Sequence, residues 1–173
     1  MDHKKFKHAK DNHDCADMGF SAEKEFKRLA EEKGYSVRVA GREEQFSHVD
    51  FILSKDGNEW RIDVKGAKRV KRTDSEVNYD TLWLEFKNGH GGEGWLVKEK
   101  GCEVIAFQQQ NSFILVSRRE LKELAEKLVD FNKLVTQSKN ALYCIYKRFG
   151  RQDKLTMIKV EDLKQLNYKE WSF

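Results

Sequence analysis

A predicted β-hairpin at residues 48–64 constrains the fold of this chain more than any other feature of its sequence. Two apolar runs, 48–53 and 59–64, flank the segment Ser54-Lys-Asp-Gly-Asn. Asp56-Gly57 is a strong turn signal, because Asp and Gly tolerate the positive φ angles that two-residue hairpin turns require. The two runs are therefore expected to pair as antiparallel neighbours, which decides which of their side chains can meet.

A helix and another strand are expected before the hairpin. Ser21 is a good N-cap, an apolar stripe follows at helical spacing, and Gly34 is typical of a helix end. Residues 35–39 then alternate apolar and polar side chains, as in a strand. The stripe consists of Ala22, Phe26, Leu29 and Ala30. The expected opening of the fold is a helix followed by a three-stranded meander.

The rest of the chain contains further periodic segments. Strands are predicted at 81–86, 103–107, 113–116, 142–149 and 154–160, and helices at 117–128 and 160–166. Residues 95–100 fit either one helical turn or a strand. The glycine-rich loop 88–94 lacks the Lys-Ser/Thr ending of a phosphate-binding P-loop, so a nucleotide site is not expected.

These patterns predict an α/β fold with one main domain. Residues 1–18 lack apolar periodicity and are expected to form a mobile leader. Residues 19–173 are expected to form a single domain with a central mixed β-sheet flanked by helices. Within it, residues 19–130 would be the core, and residues 131–173 a C-terminal extension made of a β-hairpin and helices.

Composition favours an intracellular protein that folds. Charged residues make up 36% of the chain, above the roughly 25% of average globular proteins, yet apolar residues occur in regular runs. No stretch approaches the roughly 20 apolar residues of a membrane span, and residues 1–10 lack the apolar core of a signal peptide. The three cysteines are far apart, which favours free thiols in a reducing, cytoplasmic compartment: Cys15, Cys102 and Cys144.

A run of basic residues follows the predicted hairpin. No acidic residue interrupts it, although the formal net charge of the whole chain is only +4. Such a run favours contact with a polyanion, and the alternative is a solvated loop. Its members are Lys65, Lys68, Arg69, Lys71 and Arg72.

The hairpin brings two carboxylates and a lysine to one end of the sheet. Side chains at i and i+2 of a strand share a face, so Asp63 and Lys65 point the same way while Val64 turns into the core. A register that places Asp50 beside them brings the two carboxylates of Asp50 and Asp63 together. Because these carboxylates repel each other, a divalent cation between them would hold them together. Oxygen ligands favour Mg²⁺ or Mn²⁺. The alternative is a salt-bridged strand end without catalytic function.

These residues resemble the signature of the PD-(D/E)XK nuclease superfamily: an Asp, a hairpin, then Asp or Glu, an apolar residue and Lys. Asp50 and Asp63-Val64-Lys65 match it, with Val49 in the place of the Pro. The resemblance implies a restriction-endonuclease-like core and metal-dependent hydrolysis of phosphodiester bonds. Lys65 would assist the attacking water.

The helix before the hairpin resembles one branch of this superfamily. Gly19-Phe-Ser-Ala-Glu23 is similar to the opening helix of archaeal-type Holliday junction resolvases, and the similarity covers residues 19–66. It implies that Glu23, Asp50, Asp63 and the carbonyl of Val64 bind one or two Mg²⁺ ions. Glu25 competes with Glu23, but it lies on a different side of the helix. The resemblance further implies a homodimer and a DNA substrate.

Beyond Gly66 the match to the resolvases weakens. Residues 67–80 lack the expected amphipathic helix, so the segment around Trp95 is its nearest equivalent. Trp83-Leu-Glu85-Phe and Gly94-Trp95-Leu96 are similar to small phage-encoded nucleases of the superfamily. We expect Glu85 to be exposed on an edge strand, although it could add an acid near the metal, and we expect His48 to be packed or solvated.

The sequence thus predicts a metal-dependent DNA endonuclease, with branched DNA such as Holliday junctions as the expected substrate. The basic residues Lys68, Arg69, Lys71 and Arg72 would hold the DNA backbone. A restriction- or repair-type endonuclease that cuts linear duplex is one alternative. A non-catalytic nucleic-acid-binding protein, whose acids only pair with neighbouring lysines, is the other.

Overall fold

The computed structural model describes residues 13–71 and 73–173, with side chains from Met18 onward, and in this part of the chain ten strands form two sheets. The strands are β1 Ser36–Val39, β2 Phe51–Lys55, β3 Asn58–Lys65, β4 Thr81–Lys87, β5 Val104–Gln108, β6 Ser112–Ser117, β7 Asp130–Val135, β8 Cys144–Tyr146, β9 Lys154–Lys159 and β10 Tyr168–Ser172. The α-helices are α1 His13–Glu32, α2 Arg42–Phe46 and α3 Arg118–Leu128. Short 3-10 helices span Ser138–Asn140 and Val160–Gln165.

The first sheet is mixed and has the strand order β1-β2-β3-β5-β6-β10. Its pairs are antiparallel except for β3 and β5, which are parallel, with Lys65 opposite Phe107. The hairpin of β2 and β3 is confirmed, and Asp56 and Gly57 have φ angles of 51° and 76° at its turn. The sheet therefore begins with the predicted three-stranded meander.

The second sheet has the order β4-β9-β8-β7. The antiparallel pair of β4 and β9 joins segments that are far apart in sequence, with Trp83 opposite Met157. At the other edge, β7 runs parallel to β8 with an irregular register. Since β10 also pairs with β6, strands from both sides of residue 130 are present in both sheets.

The first sheet lies between two apolar layers. On one face, Phe26 and Leu29 of α1 pack on Phe51, Ile62 and Val64. On the other face, side chains of the first sheet pack against the second sheet and α3 in a separate cluster that includes Ile105, Leu84, Ile158 and Leu121. Val64 therefore turns into the core, as predicted, on the side of α1, and its neighbours Asp63 and Lys65 face the second sheet.

The mixed α/β class and most predicted strands are confirmed, and several local predictions are wrong. Helix α1 begins at His13 rather than at Ser21, so residues 13–18 of the predicted leader belong to it. Residues 95–100 form hydrogen-bonded turns and neither a helix nor a strand. The sequence patterns missed α2, β7 and β10. None of the helices in the described part of the chain is long and apolar enough to cross a membrane.

Candidate active site

Asp63 and Lys65 form an ion pair on the face of β3 that looks toward the second sheet. The Lys65 Nζ to Asp63 Oδ2 distance is 2.7 Å, and the two side chains are 19% and 4% exposed. Oδ2 is shielded from water, so the Lys65 ammonium faces this oxygen as an opposite charge in a buried setting. The i, i+2 spacing places both groups here, as predicted.

Asp50 joins this pair from the neighbouring strand. It lies just before β2, and its backbone N–H donates to the carbonyl of Ile62, the residue before Asp63, at 2.8 Å. Its Oδ2 accepts a hydrogen bond from the backbone N–H of Val64 at 2.9 Å. The structure therefore brings Asp50, Asp63 and Lys65 together, by the pairing that the hairpin pattern predicts.

The charges in this cluster are strongly coupled. Burial raises the pKa of Asp63 to about 7; Lys65 opposes the rise and the nearby Asp50 carboxylate adds to it. Burial lowers the pKa of Lys65, but Asp63 and Asp50 outweigh it, so that this pKa lies above its usual range. Lys65 is thus an ammonium at neutral pH, and Asp63 changes its protonation state near neutral pH.

This donor set suits a hard divalent cation with few protein ligands. The structure, as far as it describes the chain, contains no group of three or more His, Cys, Asp or Glu side chains arranged to hold a metal. Mg²⁺, however, usually keeps several waters and binds through one or two carboxylates together with substrate phosphates. Asp50 and Asp63 are the two carboxylates that could supply such ligands here.

Glu23 is half-buried on α1 and does not form such a group with Asp50 and Asp63. Its helix does reach the end of β3, since a Cβ built on Gly66 would lie 3.3 Å from the Cβ of Ala22. The competing Glu25 accepts a hydrogen bond from Gln108 Nε2 at 2.9 Å. A metal-binding role for Glu23, and for the Val64 carbonyl, stays a prediction.

The segment after the glycine-rich loop covers the cluster. Lys65 Nζ lies 4.8 Å from the centre of the Trp95 ring, within the range of a cation–π contact. Gly94 permits this approach, because a Cβ at this position would lie 2.2 Å from the carbonyl oxygen of Glu85. Arg118 fixes the same segment by donating to the carbonyls of Cys102, at 2.8 Å, and Leu96, at 2.9 Å.

Glu85 is a further acid beside Lys65. It lies on β4, an edge strand as predicted, but its side chain is half-buried rather than exposed. Burial raises its pKa, while Lys65, Lys68 and a hydrogen bond from the backbone N–H of Trp95 lower it. The expectation of an exposed Glu85 is therefore wrong, because the turn at Gly94 and Trp95 folds over its strand.

Two other titratable groups border the cluster. His48 has a φ of 55° and is half-buried; burial, Lys65 and Lys98 lower its pKa to about 4, so its imidazole is neutral at pH 7. Cys102 is buried, and burial raises the pKa of its thiol to about 12. A thiol that stays protonated is a poor nucleophile and a poor metal ligand.

The basic run leaves the cluster along a small cleft. Lys68 and Lys71 are exposed and Arg69 is half-buried, whereas Arg72 lies outside the described residues. The N–H of Asn78 donates to the carbonyl of Lys68 at 3.0 Å, which ties the run to the segment before β4. The cleft beside it is lined by Lys65, Lys68, Thr81, Trp83, Phe107 and Gln108.

Long-range packing determines the positions of four residues around the cluster: His48, Glu85, Cys102 and Arg118. The sequence patterns drew attention only to His48 and Glu85. His48 lies two residues before Asp50, and Glu85 belongs to the Trp83-Leu-Glu85-Phe pattern. Cys102 and Arg118 carry no such local signal. Comparisons of the chain with models of known families, with curated proteins and with solved structures found no match.

Proposed function

We propose that this protein is a metal-dependent nuclease that hydrolyses phosphodiester bonds in DNA. The observation that carries the proposal is the cluster of Asp50, Asp63 and Lys65. Two acids and an ammonium meet there at the edge of a cleft, next to a run of basic residues. Their order along the chain is also that of the PD-(D/E)XK signature.

Asp50 and Asp63 would hold Mg²⁺ or Mn²⁺, with the carbonyl of Val64 and the carboxylate of Glu23 as further proposed ligands. The bound ion would supply a water of lowered pKa and offset the charge that builds on the phosphate. Lys65 carries a raised pKa and would act as a fixed positive charge toward the reacting phosphate and its water. Trp95 limits the movement of that ammonium.

The topology is compatible with a restriction-endonuclease-like core. A helix packs on a mixed sheet in which the strand of the Asp-x-Lys motif has an antiparallel partner on one side and a parallel one on the other. In place of a helix between β3 and β5, this chain has β4 and the turns around Trp95. The second sheet would then be an addition specific to this chain.

DNA as the partner is supported by the resemblance and by the basic run. Lys68 and Lys71 are exposed beside the cleft, where they could contact phosphates together with Arg69 and Arg72. A homodimer and branched DNA follow from the likeness of residues 19–66 to junction resolvases, and are part of the same proposal.

One observation favours a second candidate, a nucleic-acid-binding protein without catalytic activity. The ion pair of Asp63 and Lys65 neutralises both groups internally, as a purely structural strand end would. Removing one partner of a buried pair is then expected to destabilise the fold by roughly 3–5 kcal/mol, with no activity to lose.

Cleavage assays with matched variants separate the two candidates. Supercoiled plasmid and labelled oligonucleotides would be incubated with Mg²⁺, Mn²⁺ or EDTA. We expect cleavage with either metal, none in EDTA, and a loss of at least about a hundredfold in Asp63→Asn and Lys65→Met. Lys122→Met, which removes an exposed i, i+4 ion pair on α3, is the control. Metal-independent cleavage, or full activity in both site variants, would refute the nuclease proposal.

A further inference from the structure

A basic hairpin loop next to the candidate site presents a fully exposed aromatic ring. The loop joins β8 to β9, and Phe149 at its tip is 105% exposed. A single exposed apolar residue is ordinary on a protein surface. The surroundings of Phe149 are not, because hydrogen bonds hold the loop, its exposed charges are basic, and Arg148 in it acts on Glu85, a neighbour of Lys65.

Hydrogen bonds hold the loop in a defined shape. Asp153 is buried and accepts from the backbone N–H of Arg148 at 3.1 Å and from the Arg148 guanidinium. The N–H of Arg151 donates to the carbonyl of Arg148 at 3.2 Å, and Gly150 supplies a φ of 69°. The ring of Phe149 is therefore presented to solvent by a fixed turn.

The charge of the loop suits a polyanion. Residues 147–154 contain four basic side chains and a single acid, Asp153, whose carboxylate is buried and paired with Arg148. The exposed members are Lys147, Arg151 and Lys154. An aromatic ring among cationic groups is the arrangement with which proteins bind unpaired nucleotides, since the ring stacks on a base and the cations contact phosphates.

The loop lies near Glu85, because Leu155, the residue that follows it, pairs with Glu85 between β9 and β4. The N–H of Gln152 donates to the carbonyl of Gly89 at 3.3 Å, which connects the loop to the glycine-rich segment that leads to Trp95. Arg148 and Lys65 both lower the pKa of Glu85, so both cationic groups lie within electrostatic range of its carboxylate. A nucleic acid bound at Lys65 would have its continuation within reach of the loop.

We propose that the loop 147–154 is a second nucleic-acid contact, in which Phe149 stacks on an unpaired base while Lys147, Arg151 and Lys154 bind the adjacent phosphates. The inference deepens the proposed function, on which it rests for the path of the substrate. It assigns the protein a preference for nucleic acid with single-stranded or splayed bases near the cleavage site.

Binding without cleavage tests the contact. Fluorescence anisotropy in EDTA would measure the Kd of the full chain for a single strand, a continuous duplex and a duplex with a single-stranded tail. We expect Phe149→Ala to weaken binding of the two substrates with unpaired bases by roughly 5- to 150-fold and to leave the duplex nearly unchanged. Phe149→Trp should retain affinity. Leu134→Ala, which removes an exposed apolar side chain from β7, is the matched control.

The charges are tested in the same assay. Lys147→Gln with Arg151→Gln should reduce the slope of log K against log salt for the single strand by up to about 1.4, while Asp153 keeps its partner Arg148. An unchanged Kd for Phe149→Ala on every substrate, or an equal loss on continuous duplex, would overturn the inference. If wild-type protein still cleaved DNA after that result, the nuclease proposal would stand and only the loop contact would fall. If binding depended on Phe149 but no cleavage occurred, the loop contact would stand and the nuclease proposal would fall.

Discussion

The carboxylate of Asp50 accepts a hydrogen bond from the backbone N–H of Val64, at 2.9 Å. Val64 lies between Asp63 and Lys65, so the strand that carries those two groups also fixes the third. The bond replaces a rung of the strand ladder with a side chain, which means that Asp50 has a structural task as well as a proposed chemical one.

Asp50 variants should separate these two tasks. Asp50→Asn keeps an oxygen that can accept from Val64, whereas Asp50→Ala leaves that N–H unsatisfied, at a cost of about 1–3 kcal/mol. We expect both variants to lose cleavage but only Asp50→Ala to lose stability. Urea denaturation in EDTA measures the difference, and equal stability of the two variants would contradict the structural role.

The pH dependence of stability should contain opposite contributions from Asp63 and His48. The pKa of Asp63 rises from 3.8 to about 7 on folding, so the native state holds a proton that the unfolded state releases. Its contribution therefore falls as pH rises from about 4 to 7, by at most about 1.4 kcal/mol per pH unit. The pKa of His48 falls from 6.5 to about 4, so its contribution is lost as pH falls through that range.

Single variants make the two contributions visible. Relative to wild type in EDTA, Asp63→Asn should become progressively more stable as pH rises from about 4 to 7. His48→Asn, which tolerates the positive φ of this position, should gain relative stability as pH falls below 6.5. The measurement is the free energy of unfolding at each half pH unit. Parallel curves for wild type and Asp63→Asn would show that Asp63 ionises normally.

Glu23 and Glu85 are expected to affect different steps. If Glu23 binds metal as the resemblance implies, Glu23→Gln should lower cleavage and raise the Mg²⁺ concentration required for half-maximal activity.

Glu85 lies with Lys65 and Lys68, so Glu85→Gln should remove repulsion toward phosphate and tighten DNA binding by roughly 1.5- to 5-fold, equivalent to 0.2–1 kcal/mol. Its metal requirement should match wild type. A raised Mg²⁺ requirement in Glu85→Gln alone would assign the additional acid to β4.

Local patterns predicted the strands that carry either an apolar run, as in β5 and β6, or a regular alternation of polar and apolar residues. Strand β3 alternates polar and apolar residues from Glu59 to Lys65, and this alternation predicted that Asp63 and Lys65 share a face. β10 buries only Trp171, and β7 buries no residue fully. Neither strand therefore has the alternation of apolar and polar residues by which a strand is predicted. Their strand character comes from pairing with partners elsewhere in the chain.

The site divides in the same way. Asp50, Asp63 and Lys65 are brought together by one local hairpin, which a sequence can specify. The turns around Trp95 cover these three residues, and they depend on the close contact of Gly94 with Glu85 and on the hydrogen bond from Arg118 to the carbonyl of Cys102. These residues are too far apart in sequence for a local periodicity to predict their contact. Glu85 became half-buried for that reason, although its strand was predicted.

Salt dependence should report on the basic run. Replacing Lys68, Arg69, Lys71 and Arg72 together with Gln should reduce the slope of log K against log salt for duplex DNA by up to about four units, since each phosphate contact releases close to one counterion. Anisotropy titrations in EDTA between 50 and 300 mM salt, roughly the range over which such slopes are linear, would measure it. An unchanged slope would mean that the run is a solvated loop.

Substrate choice is the furthest prediction. The likeness of residues 19–66 to junction resolvases predicts faster cleavage of four-way junctions and flaps than of continuous duplex, and a homodimer could place two sites on opposing strands. The cleft offers cations for phosphates, and its amide side chains Asn78, Gln108 and Gln109 are engaged in hydrogen bonds within the protein, so shape is the more economical basis of specificity. Junctions, flaps, linear duplex, single-stranded DNA and RNA would be compared at equal concentration with Mg²⁺. Equal or faster cutting of plain duplex would favour a restriction- or repair-type endonuclease, because the same cluster can serve either substrate.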